Sequence, residues 1–257
     1  MMRLTILGTG TSMGVPVIGC TCAVCRSTDP RNKRLRTAAL VESGGTTVLI
    51  DAGPDMRMQV LRHDVRHLDA VLLTHAHADH VLGIDDLRPF TMRDHRDLPI
   101  YGDRATLARV RHQFDYAFDP RPSLSTRPRL DLREIDRPFR VGALRIEPFE
   151  VRHGPQPITG YRFGRLGYIT DGKTLPPQTM QRLHGLDVLI INALRYQDHP
   201  LHFTVDEALE VVEHLKPRQA YFVHVTHDLD HASTNAALPP YAQFAYDGQV
   251  VEIEDDD

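Results

Sequence analysis

The sequence predicts an α/β protein in which two β-sheets carry helices on their outer faces. Short apolar runs bounded by turn residues recur in both halves of the chain, as expected for strands. Segments typical of helices lie between these runs in each half. No linker separates the halves, so we expect residues 1–257 to form one domain.

In the first half, a strand is predicted at residues 3–7, followed by a Gly/Thr/Ser/Pro loop at 8–19. Ser43-Gly44-Gly45 is a hairpin signal between strands at 38–42 and 46–50. The remaining expected elements are a helix at 55–63, a buried strand at 70–73, a helix after residue 80, a strand at 100–102 and a helix at 104–118.

In the second half, Pro120, Pro122 and Pro128 predict a loop at 119–129. An amphipathic helix is expected at 205–215. The expected strands lie at 139–141, 144–151, 160–163, 167–170, 187–193 and 219–225. The acidic residues 252–257 are expected to be frayed and solvated.

Composition and charge exclude several classes of protein. The 257 residues are 41% hydrophobic and 25% charged, which is ordinary for a globular protein and excludes disorder and coiled coil. The net charge of −4 argues against general nucleic-acid binding. No apolar run approaches the roughly 18–20 residues of a membrane span, and we read no export signal, so a cytoplasmic protein without a membrane partner is expected. Fifteen His residues and no Trp point to metal binding.

Four potential metal ligands follow the buried strand at 70–73: His75, His77, Asp79 and His80. Imidazole nitrogen and carboxylate oxygen suit zinc, manganese or iron. Because side chains alternate along an extended segment, His75 and His77 point to one side. Asp79 and His80 follow this extended segment, where a turn can direct their side chains toward a second ion. One continuous peptide can therefore supply two adjacent metal sites.

The motif Thr74-His75-x-His77-x-Asp79-His80 resembles the signature of the metallo-β-lactamase superfamily, and the resemblance extends over essentially the whole chain. It implies a four-layer αβ/βα sandwich of two mixed sheets with outer helices. It also implies a dinuclear metal site at one sheet edge. Asp51, which ends the strand at 46–50, matches an early aspartate of the family that supports the metal ligands.

The resemblance implies three further ligands, namely a histidine, a bridging aspartate and a final histidine. His153, Asp171 and His224 match them in that order, and each follows a predicted strand. By this analogy, the ligand sets are His75, His77 and His153 for one metal and Asp79, His80 and His224 for the other, with Asp171 spanning both.

Such a site implies hydrolysis. Two divalent ions about 3.5–4 Å apart hold a bridging hydroxide that is nucleophilic at neutral pH, and they neutralise charge on the substrate oxygens. We expect two catalytic metals, zinc or manganese with iron as a further option. We expect a phosphodiester rather than an amide substrate. True β-lactamases, which cleave an amide bond, are normally exported, and we read no export signal in this chain. A di-iron site that reacts with oxygen would usually carry Glu where His77 stands.

The three cysteines Cys20, Cys22 and Cys25 form a C-x-C-x-x-C cluster. Three neighbouring thiolates suit a tetrahedral zinc that lacks one ligand. His227, three residues after His224, is our choice for the fourth. Four protein ligands leave no open position, so this zinc would be structural. A redox cluster and buried unligated cysteines are the alternatives.

The glycine-rich segment 8–16 together with this cluster resembles one branch of the superfamily, the phosphoribosyl 1,2-cyclic phosphate phosphodiesterases. The resemblance implies a structural zinc held by three Cys and a late His, and a general-acid histidine upstream of the final metal ligand. His202 matches that acid, with His199 as the competing candidate. We count His202 and Asp79 as the catalytic residues. The relatives also suggest a homodimer.

These observations favour a metal-dependent phosphodiesterase acting on a small phosphodiester, with a cyclic phosphodiester as one option. The first alternative is a nuclease of the ribonuclease Z type, although we find no long basic insertion for gripping RNA. A thioester hydrolase like glyoxalase II is a second, although the segment after His224 is short for its helical addition. A non-hydrolytic metal-binding protein, like the related branch in pyrroloquinoline quinone synthesis, is a third.

The other histidines have no partners in the sequence pattern and are expected at the surface. They are His63, His67, His95, His112, His184, His214 and His231.

Overall fold

The computed structural model of the protein describes residues 1–121 and 124–254. Pro122 of the predicted loop and the last three acidic residues lie outside the described residues. The strands are β1 (Met2–Gly8), β2 (Ala38–Ser43), β3 (Thr46–Ile50), β4 (Ala70–Leu72), β5 (Leu98–Gly102), β6 (Leu130–Glu134), β7 (Phe139–Val141), β8 (Leu144–His153), β9 (Gln156–Phe163), β10 (Leu166–Tyr168), β11 (Val188–Asn192), β12 (Gln219–Val223), β13 (Ala242–Phe244) and β14 (Gln249–Ile253). The α-helices are α1 (Ala23–Arg26), α2 (Met56–Arg62), α3 (Ala78–Val81), α4 (Arg88–Asp94), α5 (Arg104–Gln113), α6 (Pro177–Arg182), α7 (Val205–Leu215) and α8 (His231–Ala237).

The strands form two seven-stranded sheets. Their orders are β14-β1-β2-β3-β4-β5-β6 and β13-β12-β11-β10-β9-β8-β7. Each sheet is antiparallel on one side and parallel on the other: β3 to β6 are parallel in the first sheet, and β10 to β13 in the second. The parallel strands β4 and β11 are wholly buried, and they are apolar except for Asn192 at the end of β11, as expected for strands covered on both faces.

Three apolar clusters define the layers. One lies between the sheets and includes Ile50, Leu72 and Ile190. The second packs residues of the second sheet against α7, and the third packs residues of the first sheet against α2 and α5. The predicted sandwich of two mixed sheets with outer helices is therefore confirmed.

Turn and capping residues in the sequence correctly predicted where several strands and helices begin or end. The turn between β2 and β3 contains Gly44 and Gly45 with φ of 54° and 79°, values that an I′-type hairpin turn requires and that glycine adopts without strain. Thr204 caps the N-terminus of α7. Its side chain accepts a hydrogen bond from the Glu207 amide, and the Glu207 carboxylate accepts one from the Thr204 amide. The predicted bounds of this helix, 205–215, agree with the observed helix Val205–Leu215.

Other expectations were wrong. The predicted helix at 104–118 ends at Gln113, and a short 3-10 helix at Asp115–Phe118 follows. Glu252 and Ile253 belong to β14, which pairs with β1, rather than to a frayed tail. The strands β6, β13 and β14 and the helices α6 and α8 were not predicted. They are short or lie at sheet edges, where the hydrophobic pattern is weak.

His231 is buried, contrary to the expected surface position. Its Nδ1 atom lies 3.2 Å from Nη2 of Arg34, whose side chain is also buried. Nη1 of Arg34 donates to Thr9 Oγ1 and to the carbonyl of Ala245. This network joins the N-terminal loop to the last strands, so its members cannot be recognised from neighbours in the sequence.

Candidate metal centre

The carboxyl ends of the parallel strands bring the predicted ligands together. Asp51 follows β3, the segment 74–80 follows β4, Asp171 comes three residues after β10, and His224 follows β12. His153 is the last residue of β8. Ligand sites of open α/β sheets form in the crevice beyond such strand ends. The fold thus places these side chains in one crevice between the two sheets.

The backbone is strained at three of these positions. Asp51, Asp171 and His224 have φ of 62°, 56° and 56°. They make up half of the six non-glycine residues with positive φ in the part of the chain that the structure describes. Such conformations typically cost about 1–3 kcal/mol each, and they concentrate at functional sites.

Four ligand-type side chains converge most closely: Asp79, His80, Asp171 and His224. One ligand atom from each lies within 4.8 Å of the others. His80 Nε2 is 3.3 Å from Asp79 Oδ2 and 3.2 Å from Asp171 Oδ2, and His224 Nδ1 is 3.3 Å from the same Asp171 oxygen. All four are buried or nearly so.

Hydrogen bonds fix the orientation of three imidazoles. The Nδ1–H of His153 donates to the Leu201 carbonyl at 2.9 Å, because a carbonyl can only accept. His80 Nδ1 lies 2.7 Å from Asp51 Oδ2, and His75 Nδ1 lies 3.0 Å from the Thr74 hydroxyl, which itself donates to Asp51. Each Nε2 atom is thereby left with its lone pair.

The donor set fits metal ions. Nε2 of His75 and Nε2 of His80 are buried and have no hydrogen-bond partner. Such orphaned nitrogens are costly unless they bind something, and here they accompany carboxylates and imidazoles, the ligands that zinc and manganese accept. The hydrogen bonds to Asp51 and Leu201 are of the kind that orient metal-binding histidines.

The histidines assigned to the other metal lie beside this group. The His77 ring is 4.5 Å from the His75 ring and 5.2 Å from the His153 ring, measured between centroids. The structure also brings the ligand atoms of His153, Asp171 and His202 within 4.8 Å of one another. His202 was predicted to be a catalytic acid and not a member of such a group of ligand atoms. Its ring lies 4.9 Å from that of His224.

Electrostatics keep this site anionic. Burial by itself raises the pKa of Asp79 and of Asp171, but the imidazoles of His80 and His224 outweigh it and hold both pKa values well below the usual range. Burial lowers the pKa of His75, which is therefore neutral and able to donate its lone pair. The carboxylates of Asp171 and Asp51, in contrast, raise the pKa of His80 despite its burial. Two ionised carboxylates in a buried site attract divalent cations.

Close backbone packing supports the His loop. A Cβ atom on Gly53 would overlap the carbonyl oxygen of Asp79, and one on Gly83 would overlap the carbonyl oxygen of Gly53. Gly53 and Gly83 therefore allow the segment after β3 to pack directly on α3. No supporting role was predicted for these glycines or for the Thr74 side chain. The position of Gly53 two residues after Asp51 was the available signal.

The cysteine cluster forms a second group with His227. The Sγ atoms of Cys20, Cys22 and Cys25 lie 3.3, 3.4 and 3.5 Å from His227 Nδ1. The four ligand atoms lie within 4.8 Å of one another, a set that suits tetrahedral zinc. The Cys25 amide and the His227 ring stabilise the Cys22 thiolate and lower its pKa to about 6, whereas burial raises the pKa of Cys25 to about 11.

A sequence model of the β-lactamase superfamily domain matches residues 46–225, which include the His loop, His153, Asp171 and His224. This chain belongs to the metallo-β-lactamase superfamily. Its fold and its candidate ligands are those expected for that superfamily. In the described ranges, no helix is both long and apolar enough to cross a membrane.

Several known members of the superfamily are similar to this chain. The crystal structure of a diphosphatase from the PhnP family is 41% identical, covers 97% of this chain and 96% of its own, and has a TM-score of 0.92. Zinc-bound PqqB from Methylobacterium extorquens is 19% identical, with coverages of 98% and 100% and a TM-score of 0.80, which shows a shared fold.

An octanoyltransferase from Porphyromonas gingivalis is 40% identical over 259 residues, which is 99% of this chain and 52% of that protein. The chain thus spans about half the length of this relative.

Proposed function

We propose that this protein is a phosphodiesterase that hydrolyses a small phosphodiester, with cyclic phosphodiesters as the leading substrate class. The observation that carries the proposal is the position of His202. Its ring lies 4.7 Å from that of His153 and 4.9 Å from that of His224, beside the ligand cluster but outside the predicted ligand set. A protonatable side chain at this position suits cleavage of a bond to a poor leaving group.

The residues that would hold two divalent metals are those predicted from the sequence: His75, His77, Asp79, His80, His153, Asp171 and His224. When bound, such ions supply an activated water and neutralise charge on phosphoryl oxygens. The bridging role proposed for Asp171 is supported by its ligand atoms, which lie within 4.8 Å of those of His80 and His224 in one group and of His153 in another. The two aspartates and five histidines therefore orient the reacting phosphoryl group.

His202 supplies the proton that the leaving group needs. Burial, together with the neighbouring His224, lowers the pKa of His202 to about 3, so the ring is neutral in the free site. An anionic phosphoryl group raises this pKa, because it stabilises the imidazolium form. Asp171 Oδ1, 3.8 Å from His202 Nδ1, acts in the same direction. His202 takes up this proton from solvent as the substrate binds. The oxygen of water then bonds to phosphorus and its proton is lost to solvent, the bond from phosphorus to the leaving oxygen breaks, and His202 gives the leaving oxygen its proton.

The test is turnover of bis(p-nitrophenyl) phosphate by the purified protein supplied with manganese or zinc. We expect release of p-nitrophenol that is lost in Asp171→Asn and retained in Asp131→Asn, a control at an exposed position outside the site. Hydrolysis of 2′,3′-cyclic AMP, followed by phosphorus NMR, tests the cyclic class. Bound metal with no turnover of either compound would favour a non-hydrolytic protein of the kind found in pyrroloquinoline quinone synthesis.

A second candidate substrate is a diphosphate diester. The observation in its favour is the likeness to the PhnP-family diphosphatase, which extends over nearly the whole of both chains. The reaction is chemically close, since water again displaces an oxygen from phosphorus. Hydrolysis of NAD, a diphosphate diester, to two monophosphates would support this candidate over a cyclic phosphodiester.

Two other activities have less support. A ribonuclease Z-type nuclease would need a basic surface for RNA, whereas this chain carries a net charge of −4. Acyl transfer through a cysteine has less support because the three cysteines form, with His227, a four-ligand set that suits a structural zinc.

A further inference from the structure

Asn192 is the last residue of β11, and its side chain is fully buried. Both ends of its amide are bound to one residue, Gly172. Asn192 Oδ1 accepts from the Gly172 amide at 2.6 Å, and Nδ2 donates to the Gly172 carbonyl at 2.9 Å. These two contacts fix the orientation of the side-chain amide, because a backbone N–H can only donate and a carbonyl can only accept.

The Asn192 side chain continues the pairing of two strands at the point where their backbones part. The strands β10 and β11 are parallel neighbours, and the Ile169 amide just after β10 still donates to the Ile190 carbonyl. The chain then turns away at Asp171, whose φ is 56°. The two hydrogen bonds from Asn192 therefore hold the departing chain against the end of β11.

The absence of a side chain at Gly172 permits this contact. A Cβ atom there would lie 3.3 Å from Asn192 Oδ1 and 2.9 Å from side-chain atoms of Val151 and Phe203. The Gly172 carbonyl also accepts from the Phe203 amide at 2.7 Å. Gly172 is thus bound on one side to β11 and on the other to the residue that follows His202.

The turn that Asn192 holds carries the carboxylate shared by the candidate ligand groups. Asp171 Oδ2 lies 3.2 Å from His80 Nε2 and 3.3 Å from His224 Nδ1, and a ligand atom of Asp171 lies within 4.8 Å of one from His153. A left-handed conformation at a residue other than glycine persists when the surrounding structure imposes it. The bonds from Asn192 to the next residue impose it here.

An asparagine suits this position better than an aspartate. Among short side chains, asparagine has an acceptor and a donor on two neighbouring atoms, as the Gly172 backbone requires. A carboxylate could accept from the Gly172 amide, but its other oxygen would face the Gly172 carbonyl. It would also add a buried negative charge beside the turn of Asp171.

We propose that Asn192 is a positioning residue that holds Asp171 in its left-handed conformation and thereby sets where the shared carboxylate lies. The inference rests on the dinuclear centre of the proposed function. Asn192 acts through the Gly172 backbone rather than by binding metal or substrate. In the predicted ligand sets, each ion has three ligands besides Asp171. Displacement of Asp171 should therefore weaken the binding of a second ion more than the binding of the first.

The experiment uses Asn192→Asp, which keeps the size of the side chain and the acceptor for the Gly172 amide but removes the donor. Manganese is titrated into the chelator-treated protein, and electron paramagnetic resonance distinguishes single ions from spin-coupled pairs. We expect the dissociation constant of the second ion to rise about 10–100-fold, as for other partners that orient metal ligands, and that of the first to rise by less than about threefold. If Asn192→Asp does not fold, Asn192→Ala is titrated with the same expectation.

The matched control is Asn235→Asp, outside the candidate dinuclear centre. Asn235 Oδ1 accepts from the Phe244 amide at 2.7 Å, and its Nδ2 lies 3.1 Å from His231 Nε2. The substitution again keeps the acceptor for a backbone amide and removes a donor. A loss of stability alone affects both variants, whereas the pairing of the ions should change in the Asn192 variant and not in the control.

The other outcomes contradict the proposal or the metal centre separately. Unchanged pairing in Asn192→Asp, equal weakening of both ions, or the same loss in Asn235→Asp would overturn the role of Asn192. If the parent binds no pair of ions, the dinuclear centre fails. Hydrogen exchange of the metal-free proteins then decides the role of Asn192. We expect residues 169–174 to exchange about tenfold faster or more in Asn192→Asp than in the parent and the control, and equal rates would overturn the proposal.

Discussion

The Nδ1 atom of His80 lies 2.7 Å from Oδ2 of Asp51, and both side chains are fully buried. The same carboxylate accepts from the amide and the hydroxyl of Thr74. Asp51 therefore fixes the direction in which His80 presents Nε2 to Asp79 and Asp171. We expect Asp51→Asn to lower metal affinity by about 10–100-fold, the usual effect of removing such a partner.

Competition with a chelator, followed by metal analysis, measures that affinity. Asp69→Asn is the matched control, because Asp69 Oδ1 makes a similar contact of 2.8 Å with His67 Nε2 at the surface. Equal metal affinity in Asp51→Asn and the parent would show that the Asp51 contact does not orient a metal ligand.

The loss of turnover caused by replacing His202 should depend on the leaving group of the substrate. An alkoxide needs a proton, whereas p-nitrophenolate is a stable anion. We therefore expect His202→Ala to lower kcat about 10²–10⁴-fold for 2′,3′-cyclic AMP and less than tenfold for bis(p-nitrophenyl) phosphate. Metal content should stay at the parent level, as in the exposed control His184→Ala. Equal losses on both substrates with loss of metal would instead make His202 a ligand, a role that its contact with Asp171 permits.

The cysteine cluster should hold a zinc that stabilises the fold. Cys25 and His227 are 202 residues apart in the chain, so a shared ion closes a very long loop. By comparison with covalent cross-links, we expect Cys22→Ser to lower the free energy of unfolding by about 3–5 kcal/mol and to remove one zinc per chain. Denaturant unfolding and metal analysis check both. Unchanged zinc content would mean that the cluster is empty or redox-active.

Asp247 should make stability depend on pH. Burial raises its pKa to about 6, against the hydrogen bonds from the Leu35 amide and the Thr9 hydroxyl. A carboxyl whose pKa is raised on folding binds more protons in the folded state, so its contribution to stability is present below about pH 4 and is lost as the pH rises through 6. The stability of the parent relative to Asp247→Asn should therefore fall between about pH 4 and 6, by at most about 1.4 kcal/mol per pH unit, and level off above that range. Urea unfolding at a series of pH values measures it, and a flat difference would refute the assignment.

Gly53→Ala should disrupt the metal centre without changing a ligand. The added methyl group would overlap the Asp79 carbonyl, so α3 would have to move away from β3. We expect metal binding to be lost and stability to fall by about 1–3 kcal/mol or more. Gly185→Ala is the control, since no atom lies within 4 Å of its would-be Cβ, and only its φ of 78° opposes the change. Normal metal content in Gly53→Ala would show that the contact can relax.

Much of the site follows from local sequence because each candidate metal ligand comes at or just after a strand end. Asp51 and the segment 74–80 follow buried apolar strands that a single-sequence pattern reveals. Parallel strands bring their carboxyl ends to one edge, so the juxtaposition of these groups could be inferred as well. The ligand assignment to two separate ions came from the family resemblance and stays a prediction.

Most features that the sequence did not predict share a physical cause. Their structure depends on contacts with residues that are distant in the sequence. Arg34 stands in a basic stretch typical of a surface, yet its hydrogen bonds reach Ala245 and His231, about 200 residues away. The edge strand β6 has only partly buried and exposed residues, so its pattern carries no strong period. The role of Leu201 comes from its peptide group, which no side-chain pattern can reveal.

The link between the cysteine cluster and His227 also has a consequence for biosynthesis. Cys20, Cys22 and Cys25 emerge from the ribosome about 200 residues before the histidine that completes their set, and His224 emerges with it. At about 5–20 residues per second, the three thiols wait some ten seconds or more without their partner. During that interval they are open to oxidation and to the wrong metal. The cell's thiol and zinc status at synthesis therefore decides how much protein matures correctly.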